Sequence, residues 1–385
     1  MEYSDGTRVI VGYQKQHRRY YEASSEHDEA MCLLLSSRHH DPGIAGLGLT
    51  VRFEYGSASE DIGRANGTCE HLRGLALYGS IDPTEINDSR SFFSYLSNNR
   101  SIVDLEAIFL NQSDLDDIPV FETFFEHNTN LRSIGAQYMK SSTIIPPFIS
   151  SLLKSKTNRL ARIHFGSIDL RDETAAELIY TLNKIGGLHN LLDLWLGGNM
   201  IGREACAALH TMLQNPACRI VSLDLSHNYI DDECIPSLVN GFVACSTLKS
   251  LNVSDQHLLT KVGWKKLFSK YMSNPRCSIQ KFILEADRER NFHFGAEALA
   301  ESLGRITSLK YLDFVGHDIS TPGWRKLSKC LQSPSSGLLE LCLDRCNIND
   351  IGLSTLFSVL ASNTVLQVLQ MAFVYGITPG GRRMG

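Results

Sequence analysis

Adjacent histidines followed by a carboxylate, His39-His40-Asp41, and two cysteines four residues apart, Cys342 and Cys346, are the parts of this chain that suggest metal chemistry. Zinc needs four nitrogen or sulfur ligands, usually delivered as closely spaced pairs. The two histidines stand alone in a polar stretch and read as solvated. Cys342 falls on a strand residue predicted to face outward and Cys346 in the turn behind it, so they do not make a pair. None of the ten cysteines forms a C-x-x-C motif. Gly-rich phosphate loops, H-E-x-x-H and G-x-S-x-G are all missing from the sequence. Arg18-Arg19-Tyr20-Tyr21 is too short a basic run to argue for RNA or lipid. No catalytic residue, metal or cofactor is implied. Recognition chemistry is better represented. Glu106, Asp193, Asp224, Asp313, Glu340 and Asp344 recur at related spacings, interleaved with His164, Trp195, His227 and Tyr311. Carboxylates around an exposed tryptophan suit the binding of a basic protein partner.

The elements that would position these residues are repeats. Eleven segments carry apolar residues at relative positions one, four and six. They start at Leu72, Ile102, Leu131, Leu160, Leu191, Ile220, Leu248, Ile279, Leu309, Leu338 and Leu366, with steps of 28–31 residues. The clearest copy is Ile220-Val221-Ser222-Leu223-Asp224-Leu225-Ser226-His227-Asn228-Tyr229-Ile230. Alternation over the first six residues predicts a short strand in a parallel ladder. The apolar spacing after Asn199 and after Cys346 predicts a helix. Neither element can bury its apolar face alone, so stability comes from stacking. Positions three, five and seven then point outward. Over these columns eight carboxylates face two cations, Arg162 and Lys281, although the whole chain carries only −5. Position nine holds Asn199, Asn228, Gln256, Asp287, His317 and Cys346, predicted to satisfy buried backbone groups in the turns. Upstream the same position holds Ser80, Leu110, Met139 and Ile168, so that ladder fades.

A longer period overlies the first. Asn215-Pro216-Ala217-Cys218 recurs as Asn274-Pro275-Arg276-Cys277, and Gly263-Trp264-Lys265-Lys266-Leu267 as Gly323-Trp324-Arg325-Lys326-Leu327. Trp264 and Trp324, at helix starts, are expected in the core. This alternation, with N-P-x-C before a strand and N/C-x-I-x-x-x-G/A-x-x-x-L after it, resembles the ribonuclease-inhibitor class of leucine-rich repeats. The class also includes Ran GTPase-activating proteins and the repeat arrays of nucleotide-binding immune receptors. The resemblance is specific over 191–360 and looser over 72–190. It implies an α/β leucine-rich repeat solenoid, a horseshoe with a parallel sheet on the concave face and helices outside. It also implies a non-enzymatic scaffold or adaptor that takes a protein ligand. The alternative is a small-GTPase regulator of the Ran GTPase-activating type, for which Arg203 would be the residue to test, or the sensing array of a larger receptor.

Composition fits an ordinary globular chain, 43% hydrophobic and 21% charged. The mild net charge gives no case for nucleic acid or an anionic membrane. No apolar run reaches the roughly 18 residues of a membrane span, and the first residues do not read as a secretory signal. Most cysteines fall on core repeat positions and read as reduced, which points to the cytoplasm, or the nucleus. Residues 1–66 do not keep the period and are expected to be an extension, partly flexible, with a cap or degenerate first repeat. Within it Asp28–Leu35 predicts a short helix and Leu49–Tyr55 a strand. Residues 67–385 form the repeat domain, its last repeat incomplete. Pro379-Gly380-Gly381 argues against a closing helix, so Leu353, Leu356, Leu360 and the strand at Leu366 are expected to be partly open, by truncation or beneath another subunit.

Overall fold

A computed structural model describes residues 8–13, 19–22, 47–53, 72–79, 97, 99–108, 118–137, 150–152, 159–184, 187–286, 296–303, 306–333 and 336–377. The helix expected at Asp28–Leu35 lies outside them. The chain divides into two compact units: residues 1–174 with 181–194, and residues 175–180 with 195–385.

In the first unit the strands are β1 (Arg8–Tyr13), β2 (Arg19–Glu22), β3 (Leu47–Phe53), β4 (Leu72–Gly79), β5 (Asp104–Ile108), β6 (Ser133–Gln137) and β7 (Arg162–Gly166). From β3 to β7 every neighbouring pair is parallel and follows chain order. The strand read at Leu49–Tyr55 is thus present, starting two residues earlier. β1 pairs antiparallel with β3 and with β2. Helix α1 (Ile118–His127) buries Phe124 and Phe125 completely. Asn99 accepts from the amides of Ser101 and Ile102 at 2.7 and 3.2 Å, a side-chain turn that aims the chain into β5. Helix α2 runs Asp172–Lys184.

The second unit repeats strand, turn and helix. β8 (Asp193–Trp195) ends in it, followed by β9 (Ser222–Asp224), β10 (Ser250–Asn252), β11 (Lys281–Ile283), β12 (Tyr311–Asp313), β13 (Glu340–Cys342) and β14 (Val368–Gln370). Strands β9 to β14 are parallel in chain order and pair residue for residue, Ser222 with Ser250 and Asp224 with Asn252. Their helices are α3 (Arg203–Gln214), α4 (Ile235–Ala244), α5 (Lys261–Leu267, continued as a π turn to Met272), α6 (Ala296–Leu303), α7 (Thr321–Gln332) and α8 (Asp350–Leu360).

The period-29 pattern maps onto burial. At positions one, four and six, Leu191, Leu194, Leu196, Ile220, Leu223, Leu225, Leu248, Leu251 and Val253 are all at most 2% exposed. Each such side chain contributes roughly 1.5–3 kcal/mol. From β8 onward the strands are shorter than the six residues read from alternation, occupying only positions three to five. The chain bends inward at position six. At position eight it turns left-handed: φ is 54° at Ser167, 72° at Gly198, 51° at His227, 50° at Asp255, 79° at Gly316, 58° at Arg345 and 55° at Phe373. Side chains other than glycine pay a steric cost there of roughly 1–2 kcal/mol.

That cost is offset by the position-nine side chains, which reach the position-six carbonyl of the repeat before. Asn228 Nδ2 donates to Leu196 O at 3.0 Å and Gln256 Nε2 to Leu225 O at 2.6 Å. His317 Nε2 lies 2.8 Å from Leu284 O, with its ring stacked on Phe314 at 3.8 Å, and Cys346 Sγ donates to Phe314 O at 3.0 Å. Asp287, expected in the same ladder, lies outside the described residues. In the first unit Ile168 holds this position and is 1% exposed, so there the ladder is replaced by apolar packing.

The helices follow from similar local rules. Asn349 caps α8 by accepting from Gly352 N at 2.8 Å, and Ser320 caps α7 through Gly323 N. Trp264 and Trp324 are core residues, at 5% and 0% exposure. Trp324 lies beneath Gly352, where an added Cβ would come within 2.7 Å of its ring. The expectation for the last turns is corrected in part. Leu353 and Leu356 are buried, because they point into their own repeat, whereas Ile351 and Phe357, on the outer side of α8, are exposed. The strand half of the expectation stands: Val368 is exposed, and Leu366, Leu369 and Leu360 are half-buried.

Candidate functional surface

The outward sheet positions hold the candidate residues, and their neighbours decide what each can do. In the first unit His164 Nε2 lies 3.1 Å from Asp193 Oδ2. Arg162, one of the two cations counted on these columns, lies 2.9 Å from Asp104. These carboxylates are already engaged. Glu106 stands on β5, and its side chain lies outside the described set.

In the second unit Trp195 is 40% exposed, as its outward strand phase requires. Its indole folds over Gly197. A Cβ built on that glycine would lie 3.1 Å from Trp195 Nε1, 2.8 Å from Asp224 Oδ1 and 2.6 Å from Ser226 Oγ. Only glycine leaves room for the ring beside Asp224. Asp224 itself is saturated: Oδ1 accepts from Ser226 N at 2.9 Å and Ser226 Oγ at 2.6 Å, and Oδ2 from Asn252 Nδ2 at 2.8 Å. The Asp-x-Ser and Asn-x-Ser steps of successive repeats thus lock one another, Asn252 accepting in turn from Ser254.

Further charge collects farther along the unit. His227 reaches Asp255 of the next repeat at 3.3 Å, and both sit at the left-handed position eight. Glu285 is pushed above the usual carboxylate range by burial and by the carboxylates of Asp313 and Asp255. Asp313 is pushed up by burial and by Asp344, against the opposing pull of the Tyr311 hydroxyl, which donates to it at 3.1 Å, and of Lys281. Lys281 Nζ lies 4.7 Å over the Tyr311 ring. Burial and then Asp313 push the Tyr311 hydroxyl up to about 12. Glu340 is exposed beside them, and Asp344 accepts from Ala372 N at 2.5 Å. Asp255, Glu285, Asp313, Glu340 and Asp344 are five carboxylates against the two fixed cations of the group, Lys281 and Arg345. The raised proton affinities of Glu285 and Asp313 reflect both burial and that surplus.

Sequence reasoning missed Asp255 and Arg345, which lie outside the outward columns it counted. The available signal was glycine at the same repeat position, Gly198 and Gly316, marking a left-handed turn that brings position eight within electrostatic reach of Glu285. Cys342 is a correction: read as outward, it is 6% exposed, and burial pushes its thiol up to about 11. Neighbouring side chains of the crowded acidic group close over its small sulfur.

Arg203 is clamped. Its Nε and one terminal nitrogen lie 2.9 and 2.7 Å from Asp231 Oδ2, and the other terminal nitrogen lies 2.5 Å from Glu233. Among the described residues no group of three or more His, Cys, Asp or Glu is arranged to hold a metal ion, and no helix is long and apolar enough to cross a membrane. His39-His40-Asp41 lies outside them.

No family model matches the chain. It is similar to NACHT, LRR and PYD domains-containing protein 12 of Mus musculus, 24% identical over 308 residues, covering 79% of this chain and 27% of that protein. It is similar to the ribonuclease inhibitor of Mus musculus, 28% identical over 182 residues, covering 47% of this chain and 39% of the inhibitor. Among solved structures it aligns with the TLR13–ssRNA13 complex at 17% identity and a TM-score of 0.44, covering 81% of this chain and 37% of that one. The chain spans well under half the length of these curated relatives. Its repeats are leucine-rich repeats of the ribonuclease-inhibitor-like class, an α/β architecture of parallel strands backed by helices.

Proposed function

We propose that this chain is a non-enzymatic interaction protein that takes a basic segment of a protein partner on the outward sheet face of its second unit. The observation that carries the reading is the crowding of carboxylates at Glu285, Asp313, Glu340 and Asp344, with Glu285 and Asp313 held above their ordinary proton affinity. A Lys or Arg side chain placed there relieves the mutual repulsion, so part of the binding energy is already stored in the face. Trp195 lies four strands from Asp313, about 19 Å at roughly 4.8 Å per strand. An extended peptide spans that in about six residues. The partner segment therefore pairs a basic residue with an apolar or cationic one near that spacing. A protein ligand also agrees with the similarity to a protein named ribonuclease inhibitor. The acidic face disfavours nucleic acid, and the reduced cysteines fit a cytoplasmic location.

Regulation of a small GTPase by a supplied arginine is the weaker reading. Arg203 is held by two carboxylates and would have to leave both to reach a phosphate. A role as the sensing array of a longer receptor rests on the similarity to the NACHT relatives alone.

The test is a calorimetric titration of the full chain with a Lys/Arg-rich peptide carrying one aromatic residue, against the same peptide with Glu for Lys. Binding of the basic peptide alone is expected. It should weaken at least tenfold from low to high salt and on combined Asp313→Asn and Asp344→Asn substitution. Equal binding of both peptides, or affinity flat with salt, overturns the proposal.

A further inference from the structure

Two buried cysteines stand apart from the recognition face. Cys218 and Cys245 enter consecutive repeats of the second unit and are 5% and 4% exposed. Their sulfurs lie 4.0 Å apart, in contact and unbonded. Neither thiol serves the position-nine ladder, and neither faces the acidic group. Their backbones are fixed by neighbouring turns: Cys218 N donates to Asn215 O at 2.8 Å and Cys245 N to Gly241 O at 3.0 Å. Thr247 Oγ1 donates to Ile220 O at 2.8 Å and ties the two turns together. The two thiols are thus held face to face across a repeat boundary by groups other than themselves.

We propose that Cys218 and Cys245 form an oxidant-responsive modification site, in which a peroxide converts the pair to a disulfide that staples two consecutive repeats. The Cys245 thiolate attacks one peroxide oxygen and breaks the O–O bond. This gives a sulfenic acid on Cys245 and hydroxide, which is protonated to water. The Cys218 sulfur then attacks the Cys245 sulfur and expels hydroxide, which takes the Cys218 proton and leaves as a second water. Two thiols are oxidised and one peroxide is reduced to two waters.

The direction of the reaction follows from the surroundings of the two sulfurs. Contact with Cys218, the Thr247 hydroxyl at 3.4 Å and the backbone amides of Leu248 and Thr247 hold the Cys245 thiol down, against the opposing effect of burial. The same contact and burial push Cys218 up. Cys245 is therefore the nucleophile and Cys218 the resolving thiol. Closing 4.0 Å to a bond of about 2.05 Å asks for roughly 2 Å of sulfur movement, shared between the two residues. By contrast Cys277, though less buried, has its thiol pushed up by burial and is the poorer nucleophile.

The experiment treats the native full chain with limiting hydrogen peroxide, blocks remaining thiols with N-ethylmaleimide and maps non-reduced tryptic peptides. Cleavage at Arg203, Arg219 and Lys249 separates the two cysteines into peptides 204–219 and 220–249. Each also carries a second cysteine, Cys206 or Cys234, so fragment ions must assign the bond. The Cys218–Cys245 link is expected first and is removed by dithiothreitol. In Cys218→Ala the oxidation stops at Cys245, where dimedone traps the sulfenic acid. In Cys245→Ala the link is lost and Cys218 is not trapped. Circular dichroism checks that both variants are folded. A link that forms only after denaturation overturns the proposal, as does trapping at Cys245 no faster than at Cys206 or Cys234.

Discussion

Replacing Asn228 with alanine tests whether the position-nine ladder holds the repeats in register. Asn228 is 1% exposed, and its amide is used on both sides. Oδ1 accepts from Ile201 N at 3.0 Å, while Nδ2 donates to Leu196 O, Leu225 O and Ser226 O, each at 3.0 Å. All three of those carbonyls keep another donor in the variant. Leu196 O still receives Asn199 Nδ2 at 2.9 Å, Leu225 O still receives Gln256 Nε2 at 2.6 Å, and Ser226 O still receives Gly198 N at 2.8 Å. The group left without a partner is the Ile201 amide, costing about 1–3 kcal/mol, and the lost donor bonds add about 0.5–1 kcal/mol each at shared acceptors. The expected destabilisation is therefore about 3 kcal/mol. At about 2–4 °C per kcal/mol for a unit of this size, the melting temperature falls by roughly 6–12 °C. The control is Asn252→Ala, on the half-buried outward face, where the loss should stay near about 1 kcal/mol. Urea unfolding followed by circular dichroism measures both. A loss below about 1 kcal/mol for Asn228→Ala, or one equal to the control, refutes the ladder as the device that sets the turn.

Trp195→Ala should lower affinity for the basic aromatic peptide by at least tenfold, while costing at most about 1 kcal/mol of stability, because the ring is 40% exposed over Gly197. A large fall in melting temperature with unchanged affinity would make it a packing residue. Stability should also depend on pH through Glu285 and Asp313. Both bind protons more tightly folded than unfolded, so their contribution falls as pH rises from their ordinary values, 4.5 and 3.8, through the raised folded values. Glu285→Gln with Asp313→Asn should therefore gain on the parent near neutral pH, and the gap should close in acid. A urea-midpoint gap that widens as pH falls contradicts that sign.

The repeat register, the inward phase of positions one, four and six, the polar ladder from Asn199 onward and the buried tryptophans were all legible in the sequence. Each depends on local periodicity: alternation decides which way a strand side chain points, and helical spacing decides which face of a helix is apolar. The proposed recognition surface was legible only as columns. Periodicity does not say which charges on neighbouring columns meet. That depends on the turn after each strand, where a left-handed position eight carries His227 to Asp255 and brings Asp255 and Arg345 within electrostatic reach of Glu285. It also depends on side-chain reach across the stack, which saturates Asp224 with Ser226 and Asn252, clamps Arg203 and closes over Cys342. Cys218 and Cys245 are 27 residues apart, and only the stacking of their two repeats brings their sulfurs into contact. The sequence determined how each repeat is built. Contacts between repeats, set by turn geometry, decided which carboxylates are paired and which crowd one another.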